Sequence, residues 1–112
     1  MRKIEAVIRV EKLEEVTDAL EKFGCPGMMV THIEGHGQQK GIVEQFRGRE
    51  FKVNFIPKIK IELVIKDSDL DKVIQLISGV SKTGEIGDGK IFIYPIENVI
   101  RIRTGEKGEA AV

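Results

Sequence analysis

An internal match between the two halves of the chain constrains the fold more than any other feature. At an offset of 57 positions, six residues recur without a gap. Ile4, Glu5, Val7, Ile8, Leu13 and Val16 fall on Ile61, Glu62, Val64, Ile65, Leu70 and Val73. Apolar residues match easily, so the match is weak evidence alone. Because it continues from a strand pattern into a helix pattern, it favours a doubled β-α-β unit.

Each half begins with alternation and continues with helical spacing. Residues 4–9 and 57–65 alternate between apolar and other side chains, which predicts one strand in each half. Apolar residues then recur three or four apart over 13–23, which predicts a helix that Gly24 ends. The second helix is predicted over 70–80, after a capping-box pattern formed by Ser68 and Asp71.

The remaining segments complete an α+β fold. Residues 28–34 and 90–96 read as two further strands, and 99–103 as a short extended piece. The order is that of a ferredoxin-like βαββαβ domain, with two helices on one face of an antiparallel sheet. We expect a single domain over 1–112. Residues 35–55 break the pattern and predict a long functional loop, and 105–112 predict a mobile polar tail.

Composition excludes several classes of protein. Lys plus Arg and Asp plus Glu are both 18, so the net charge is zero, which disfavours non-specific binding of nucleic acid or anionic membranes. No apolar run approaches the ~18 residues of a membrane span. One cysteine, Cys25, excludes an internal disulfide and fits a reducing interior. We therefore expect a cytoplasmic protein, and we interpret Cys25 as a small apolar residue rather than a nucleophile.

The second face of the sheet is unusually apolar. The fourth predicted strand presents Phe92, Tyr94 and Ile96 there, beside Val7 and Val64. Two helices cannot cover both faces, and an exposed apolar sheet face usually marks an interface. The pattern predicts an oligomer with its sheets turned inward.

The strongest chemical signal is the segment 83–90. Gly84, Gly87 and Gly89 let backbone N–H groups approach a ligand closely, and such concavities bind anions. Lys90 adds a cation at the rim. The spacing matches part of a P-loop, but Ile91 stands where Ser or Thr would hold magnesium, and a strand follows instead of a helix. An anion seat and a tight structural turn are equally compatible with the spacing alone.

Two pairs of cations have two readings each. Arg101 and Arg103 would point to one side of an extended chain and could grip phosphate oxygens, or they could form a solvated edge. The same alternatives apply to Lys58 and Lys60.

His32, Glu34 and His36 could form a metal site, but no fourth ligand is evident. No Ser/His/Asp group or acid pair is visible, so we expect no catalytic centre.

Five segments carry a resemblance to a known family. They are 35–41 (GHGQQKG), 46–51 (FRGREF), 57–62 (PKIKIE), 83–92 (TGEIGDGKIF) and 99–105 (VIRIRTG). In this order and spacing the chain resembles the PII family of nitrogen-regulatory signalling proteins over essentially its whole length. The resemblance implies a homotrimer that binds ATP or ADP between subunits and binds 2-oxoglutarate together with Mg-ATP. It also implies that residues 37–55, the T-loop, dock on an ammonium channel or a nitrogen-metabolism enzyme, which would recruit the protein to the membrane in the first case.

The resemblance assigns a nucleotide site. Gly87, Asp88, Gly89 and Lys90 would cradle the phosphates, and Arg101 and Arg103 of a neighbouring subunit would clamp them. The adenosine would lie among Val7, Met29, Glu62 and Val64. Gly35, just before the T-loop, and Gly37 and Gln38 at its start would complete the site.

The resemblance also assigns the effector and partner contacts. Gln39 would coordinate the magnesium that bridges the phosphates and 2-oxoglutarate, and Lys58 would pair with a carboxylate of that acid. Arg47 lies near the T-loop tip and would contact the protein partner.

Departures from the family pattern change the expected regulation. Phe51 replaces a modifiable Tyr and Arg49 replaces a phosphorylated Ser, so ligand occupancy should be the main input. Met29 replaces a common Thr in the nucleotide pocket, and Gln38 replaces a common Arg near the phosphates. The alternatives are a PII-like regulator of nitrogenase, a slow ATPase and a nucleic-acid-binding module. The last needs exposed aromatics on the central strands, and 59–65 has none.

Overall fold

The computed structural model describes residues 1–25, 27–35, 43–46, 49–52 and 56–112. It contains six strands and two helices within those ranges. They are β1 (Arg2–Arg9), α1 (Leu13–Phe23), β2 (Met29–Gly35), β3 (Val43–Phe46), β4 (Arg49–Lys52), β5 (Ile56–Ile65), α2 (Leu70–Ser81) and β6 (Lys90–Pro95). Neither helix combines the length and apolar character needed to cross a membrane in the described part of the chain.

The main sheet has four antiparallel strands in the order β2-β5-β1-β6. One face of the two central strands is buried under the helices, and it meets their apolar stripes. The core consists of Ile4, Ala6, Ile8, Val16, Leu20, Ile59, Ile61, Leu63, Ile65, Val73 and Ile77. The predicted α+β class is confirmed, and the arrangement is compatible with the ferredoxin-like layout.

The internal match is visible in the backbone. A 3₁₀ turn, Val10–Lys12, leads into α1, and a second, Asp67–Asp69, leads into α2 at the same offset of 57. The residues before the two turns have nearly equal angles: Arg9 has φ −65° and ψ 143°, and Lys66 has φ −71° and ψ 150°. The two halves therefore repeat the same strand-to-helix transition.

The predicted capping box of the second helix is wrong. No side chain caps α2. Instead the Asp69 N–H donates to the Lys66 carbonyl, and the Leu70 N–H donates to the backbone carbonyl of Asp67. Because the 3₁₀ turn supplies these i→i+3 bonds, the first amides do not need Ser68 or Asp71.

The loop prediction for 35–55 is wrong for two short stretches. Val43–Phe46 and Arg49–Lys52 pair as a separate two-stranded antiparallel sheet. Each stretch has only four residues, so alternation is too short to reveal it in the sequence.

The predicted extended piece at 99–103 is also wrong. Only Ile100 forms a bridge, with Lys107, and residues 102–104 form a turn. The Arg101 N–H donates to the Glu106 carbonyl at 2.9 Å, and the Gly105 N–H donates to the Arg101 carbonyl at 2.8 Å. These bonds fold the segment back, so Arg101 and Arg103 do not share one side of a strand. The tail forms a 3₁₀ turn, Gly108–Ala111, and its mobility stays a prediction.

The sheet face turned away from the helices carries both apolar and charged residues. Phe92 and Tyr94 are 44% and 42% exposed there in the single chain. Ile96 lies beyond the end of β6 and is half-buried. Four charged side chains on the central strands occupy the middle of this open face: Lys3, Glu5, Lys60 and Glu62.

Candidate anion-binding site

A glycine loop, residues 82–89, connects α2 to β6 and passes close to β1. Gly84, Gly87 and Gly89 all have φ between 90° and 106°, a range that side chains disfavour. At Gly89 a Cβ would lie 1.7 Å from the Val7 carbonyl oxygen. The loop therefore requires glycine at 89, both for its conformation and for its approach to β1.

The Asp88 carboxylate ties the first half of the loop together. It accepts hydrogen bonds from the N–H groups of Thr83 (2.8 Å) and Gly84 (2.9 Å), and from the Thr83 hydroxyl. The Thr83 hydroxyl in turn accepts a bond from the Glu85 N–H at 3.2 Å. These bonds, led by the Thr83 hydroxyl, hold the pKa of Asp88 well below its usual range. The carboxylate thus faces its own loop, and its predicted contact with a ligand stays a prediction.

The second half of the loop has unused donors. Within the described residues, the N–H groups of Ile86, Gly87 and Gly89 donate to no backbone or side-chain acceptor. Backbone N–H groups beside positive-φ glycines form concavities suited to anions. The loop therefore divides into a braced half, 83–85, and a half with amides free for a ligand, 86–89.

Three cations surround the free half. The Arg9 Nε lies 3.1 Å from an Asp88 carboxylate oxygen, and Arg9 Nη2 donates to the Ile86 carbonyl at 3.0 Å. Lys58 Nζ donates to the Gly87 carbonyl. Lys58 is only 7% exposed, and its pKa is lowered, first by desolvation and then by the charge of Arg9. Lys90 is exposed at the start of β6. The carboxylates near these cations are Asp88, the exposed Glu85 of the loop itself, and Glu11, whose charge acts on Lys58.

The strand register places the predicted adenosine residues on the open face. Val7 pairs with both Lys60 and Lys90, so these three residues form one row across the sheet. Met29 pairs with Glu62 in the next row. Val64 follows Glu62 two positions along β5, and residues two apart share a face. The register therefore brings these residues to the same face as Lys90.

Comparison with known proteins decides the family. The family model described as "Nitrogen regulatory protein P-II" matches residues 1–106. The chain belongs to the P-II family. It is 54% identical to "Nitrogen regulatory protein P-II 2" of Methanothermobacter thermautotrophicus, over all of this chain and 97% of that one. It is 53% identical to the P-II proteins of Rhodospirillum rubrum and Nostoc punctiforme, in each case over all of this chain and all of the relative.

Glu62, which is predicted to lie beside the adenosine, forms ion pairs within the chain. Lys3 Nζ lies 2.7 Å from Glu62, and Lys60 Nζ lies 3.4 Å from the same carboxylate. The hydrogen bond from Lys3 is the main reason that the pKa of Glu62 is lowered. The contact of Glu62 with the adenosine stays a prediction.

The two C-terminal arginines lie apart from the loop of their own chain. Arg101 Nη1 lies 2.8 Å from Glu106, and Nη2 reaches the Ala110 carbonyl at 3.4 Å. Arg103 is exposed in the turn. Neither guanidinium forms a hydrogen bond or an ion pair with residues 82–90 in the described chain.

Of the candidate binding residues in the T-loop or just before it, the structure places Gly35. Gly35 ends β2 against Lys58: a Cβ there would lie 3.1 Å from Lys58 Cγ, so glycine makes room for the lysine stem. Gly37, Gln38, Gln39 and Arg47 lie outside the described residues. His36 does too, and no cluster of three or more metal-ligating His, Cys, Asp or Glu occurs in the ranges that are described.

Sequence reasoning missed two contributors to the site. Arg9 and Thr83 hold the loop through Asp88, yet Arg9 lies 79 positions from Asp88 in the chain. The only available signal was that Arg9 ends the first strand on the face of Val7. A groove of about 370 Å³ between α2 and β6 was not predicted either, and it reaches Gly89 and Lys90. The buried Ser81 hydroxyl beside it has no hydrogen-bond partner among the described residues.

Cys25 is half-buried at the end of α1. Burial raises the pKa of its thiol, with a smaller contribution from Asp69. A raised pKa disfavours the thiolate, which agrees with its interpretation as an apolar residue.

Proposed function

We propose that this chain is a nitrogen-regulatory signalling subunit that binds ATP or ADP at the glycine loop. The nucleotide would lie in clefts between the subunits of a homotrimer, and the occupied state would be read by a protein partner. The observation that carries the proposal is the braced loop, because its unused amides lie beside three cations, Arg9, Lys58 and Lys90.

The donors of the loop suit a nucleotide polyphosphate. Lys90 is exposed and free to contact phosphate, while the N–H groups of Gly87 and Gly89 supply directed donors. Each charge-assisted hydrogen bond contributes roughly 1.5–3 kcal/mol before ordering costs. A diphosphate or triphosphate is therefore a better ligand for this loop than a neutral metabolite.

The position of Arg101 supports a site shared between subunits. Its guanidinium is bonded within its own C-terminal turn, whereas the glycine loop of the same chain lacks it. A neighbouring subunit could present Arg101 and Arg103 to that loop. The open sheet face offers the corresponding interface: Lys3, Glu5, Lys60 and Glu62 pair with one another, so the middle of the face can be buried with its charges paired.

The effector site would use Lys58 and Gln39. An ammonium group has three donors, so Lys58 can keep its bond to the Gly87 carbonyl and still pair with a carboxylate of 2-oxoglutarate. Gln39 would coordinate Mg²⁺, which supplies the electrostatic link between the phosphates and the acid. If the acid needs the metal and the metal needs the triphosphate, the two ligands bind with positive coupling, typically ~1–3 kcal/mol. ADP should then disfavour 2-oxoglutarate.

The output would pass through the T-loop, with Arg47 in contact with an ammonium channel or a nitrogen-metabolism enzyme. Phe51 has no hydroxyl group, so nucleotidylation at that position is excluded by chemistry, and ligand occupancy is the proposed signal. In this proposal the chain is cytoplasmic and acts by binding rather than by catalysis. Regulation of nitrogenase is the alternative output.

Titration calorimetry tests the proposal. 2-Oxoglutarate is added to the chain with Mg-ATP, with Mg-ADP and without nucleotide, and ATP and ADP are titrated separately. We expect both nucleotides to bind, and the acid to bind measurably only with Mg-ATP. Equal heats in all three acid titrations would remove the magnesium link, and the absence of any nucleotide heat would overturn the proposed function.

A further inference from the structure

We infer that Arg9 is a positioning residue for the anion-binding loop. It orients the free amides of the loop without contacting the ligand, through its bonds to the Asp88 carboxylate and the Ile86 carbonyl. The inference rests on the proposed function, since it concerns how the loop is held ready for a phosphate.

The contacts of Arg9 bridge the two halves of the loop. One edge of its guanidinium meets the Asp88 carboxylate, which gathers the Thr83 and Gly84 amides of the braced half. Nη2 meets the Ile86 carbonyl, one peptide before Gly87. A carbonyl held on one side of a peptide directs the following N–H to the other side, because the peptide unit is planar. Arg9 therefore fixes the peptide whose N–H belongs to Gly87.

Strand pairing gives no reason for an arginine at this position. Arg9 lies directly opposite Lys58 in the β1–β5 register. Like charges in facing positions destabilise a sheet. The side chain of Arg9 is only 17% exposed, so solvent does not compensate fully. Its bonds to the loop offset that repulsion.

Arginine suits this role better than lysine. The planar guanidinium has donors fixed in direction, so it can hold a carboxylate and a carbonyl at once. A lysine ammonium would keep the charge but would not keep both bonds in the same geometry. A positioning role and a purely electrostatic role therefore predict different results for conservative variants.

The test compares Arg9→Met, Arg9→Lys and Asp88→Asn with the unaltered chain, using Mg-ATP as the probe in titration calorimetry. We expect Arg9→Met to weaken ATP binding about tenfold, the effect of losing one charge-assisted hydrogen bond. Arg9→Lys should recover only part of that affinity. Arg2→Met is the matched control, since Arg2 pairs with Asp67 at the opposite end of the same strand, and it should bind ATP normally.

The direction in which Asp88→Asn changes ATP affinity distinguishes the two roles. It removes a negative charge near the proposed phosphates, so a purely electrostatic site would bind ATP more tightly. A site that depends on positioning should bind ATP more weakly. Hydrogen exchange of the Thr83 and Gly84 amides, measured without ligand, should become faster in both Arg9→Met and Asp88→Asn.

The outcomes separate the two proposals. Tighter or unchanged ATP binding by Asp88→Asn, full recovery by Arg9→Lys, or normal affinity in Arg9→Met would each overturn the inference while the proposed function stands. An unaltered chain that binds no nucleotide would overturn the proposed function, and the positioning role would fall with it.

Discussion

The carbonyl oxygen of Val7 occupies the space where Gly89 would carry a side chain, with only 1.7 Å between that oxygen and an ideal Cβ. This contact fixes the distance between the glycine loop and β1. Since Arg9 follows Val7 by two positions on the same strand, the contact also sets where Arg9 meets the loop.

We predict that Gly89→Ala is destabilising and also weakens ATP binding. The substitution adds a clash with backbone to a positive φ of 100°, and strained backbone alone costs about 1–3 kcal/mol. Urea unfolding gives the loss of stability, and calorimetry gives the affinity. Gly84→Ala is the matched control, because Gly84 has a φ of 90° but nothing within 4 Å of an added Cβ. Equal losses for the two variants would show that the close approach to Val7 is unimportant.

The fold could be predicted where its determinants are local. Alternation around Ile4 and Ile61 placed the two central strands, and three- and four-residue spacing placed both helices, because both patterns record which face is buried. The 3₁₀ turns and the C-terminal turn could not be predicted. They depend on backbone bonds, such as that between Arg101 and Glu106, which leave no hydrophobic pattern.

The candidate site was predictable only in part, for a related reason. Glycines at 84, 87 and 89 indicated an anion-binding concavity within one short segment. The roles of Arg9 and Asp88 depend on a contact between distant parts of the chain, and on the direction in which a carboxylate points. Composition and spacing contain no information about that direction.

We predict that Lys90→Ala weakens ATP binding about tenfold or more and leaves the proposed oligomer intact. Lys90 is exposed in the row of Val7 and is free to meet a phosphate, and a charge-assisted bond contributes roughly 1.5–3 kcal/mol. Calorimetry measures the affinity and light scattering measures the mass. Lys72→Ala, on the exposed surface of α2, removes the same charge and should have no effect. Unchanged ATP affinity in Lys90→Ala would refute the role assigned to Lys90.

We predict that the contribution of Asp88 to stability disappears in acid. The pKa of Asp88 is lower in the folded chain than its ordinary value near 3.8. A lowered folded pKa means that the stabilisation is fully present above the unfolded value and is lost as pH falls below it towards the folded value. The difference in unfolding free energy between the unaltered chain and Asp88→Asn should therefore be equal at pH 7 and pH 5, and smaller at pH 3.

The control for this pH series is Asp71→Asn, a carboxylate exposed on α2. Its difference from the unaltered chain should stay small at every pH. A difference for Asp88→Asn that is the same at pH 3 as at pH 7 would mean that the ionised carboxylate does not hold the loop.

We predict that Phe92→Glu prevents assembly of the proposed trimer. Phe92 is 44% exposed in the single chain, on the open face and in the row of Glu5 and Glu62. A third carboxylate in that row would be buried without a cation of its own, because Lys3 and Lys60 are already shared by the two glutamates. Light scattering should report a monomer, or a trimer only at high protein concentration.

Glu15→Lys, on the exposed side of α1, changes charge away from the open face and should leave the mass unchanged. A Phe92→Glu chain that assembles as well as the unaltered one would place the subunit interface elsewhere, and the cleft proposed for the nucleotide would lose the neighbour that supplies Arg101 and Arg103.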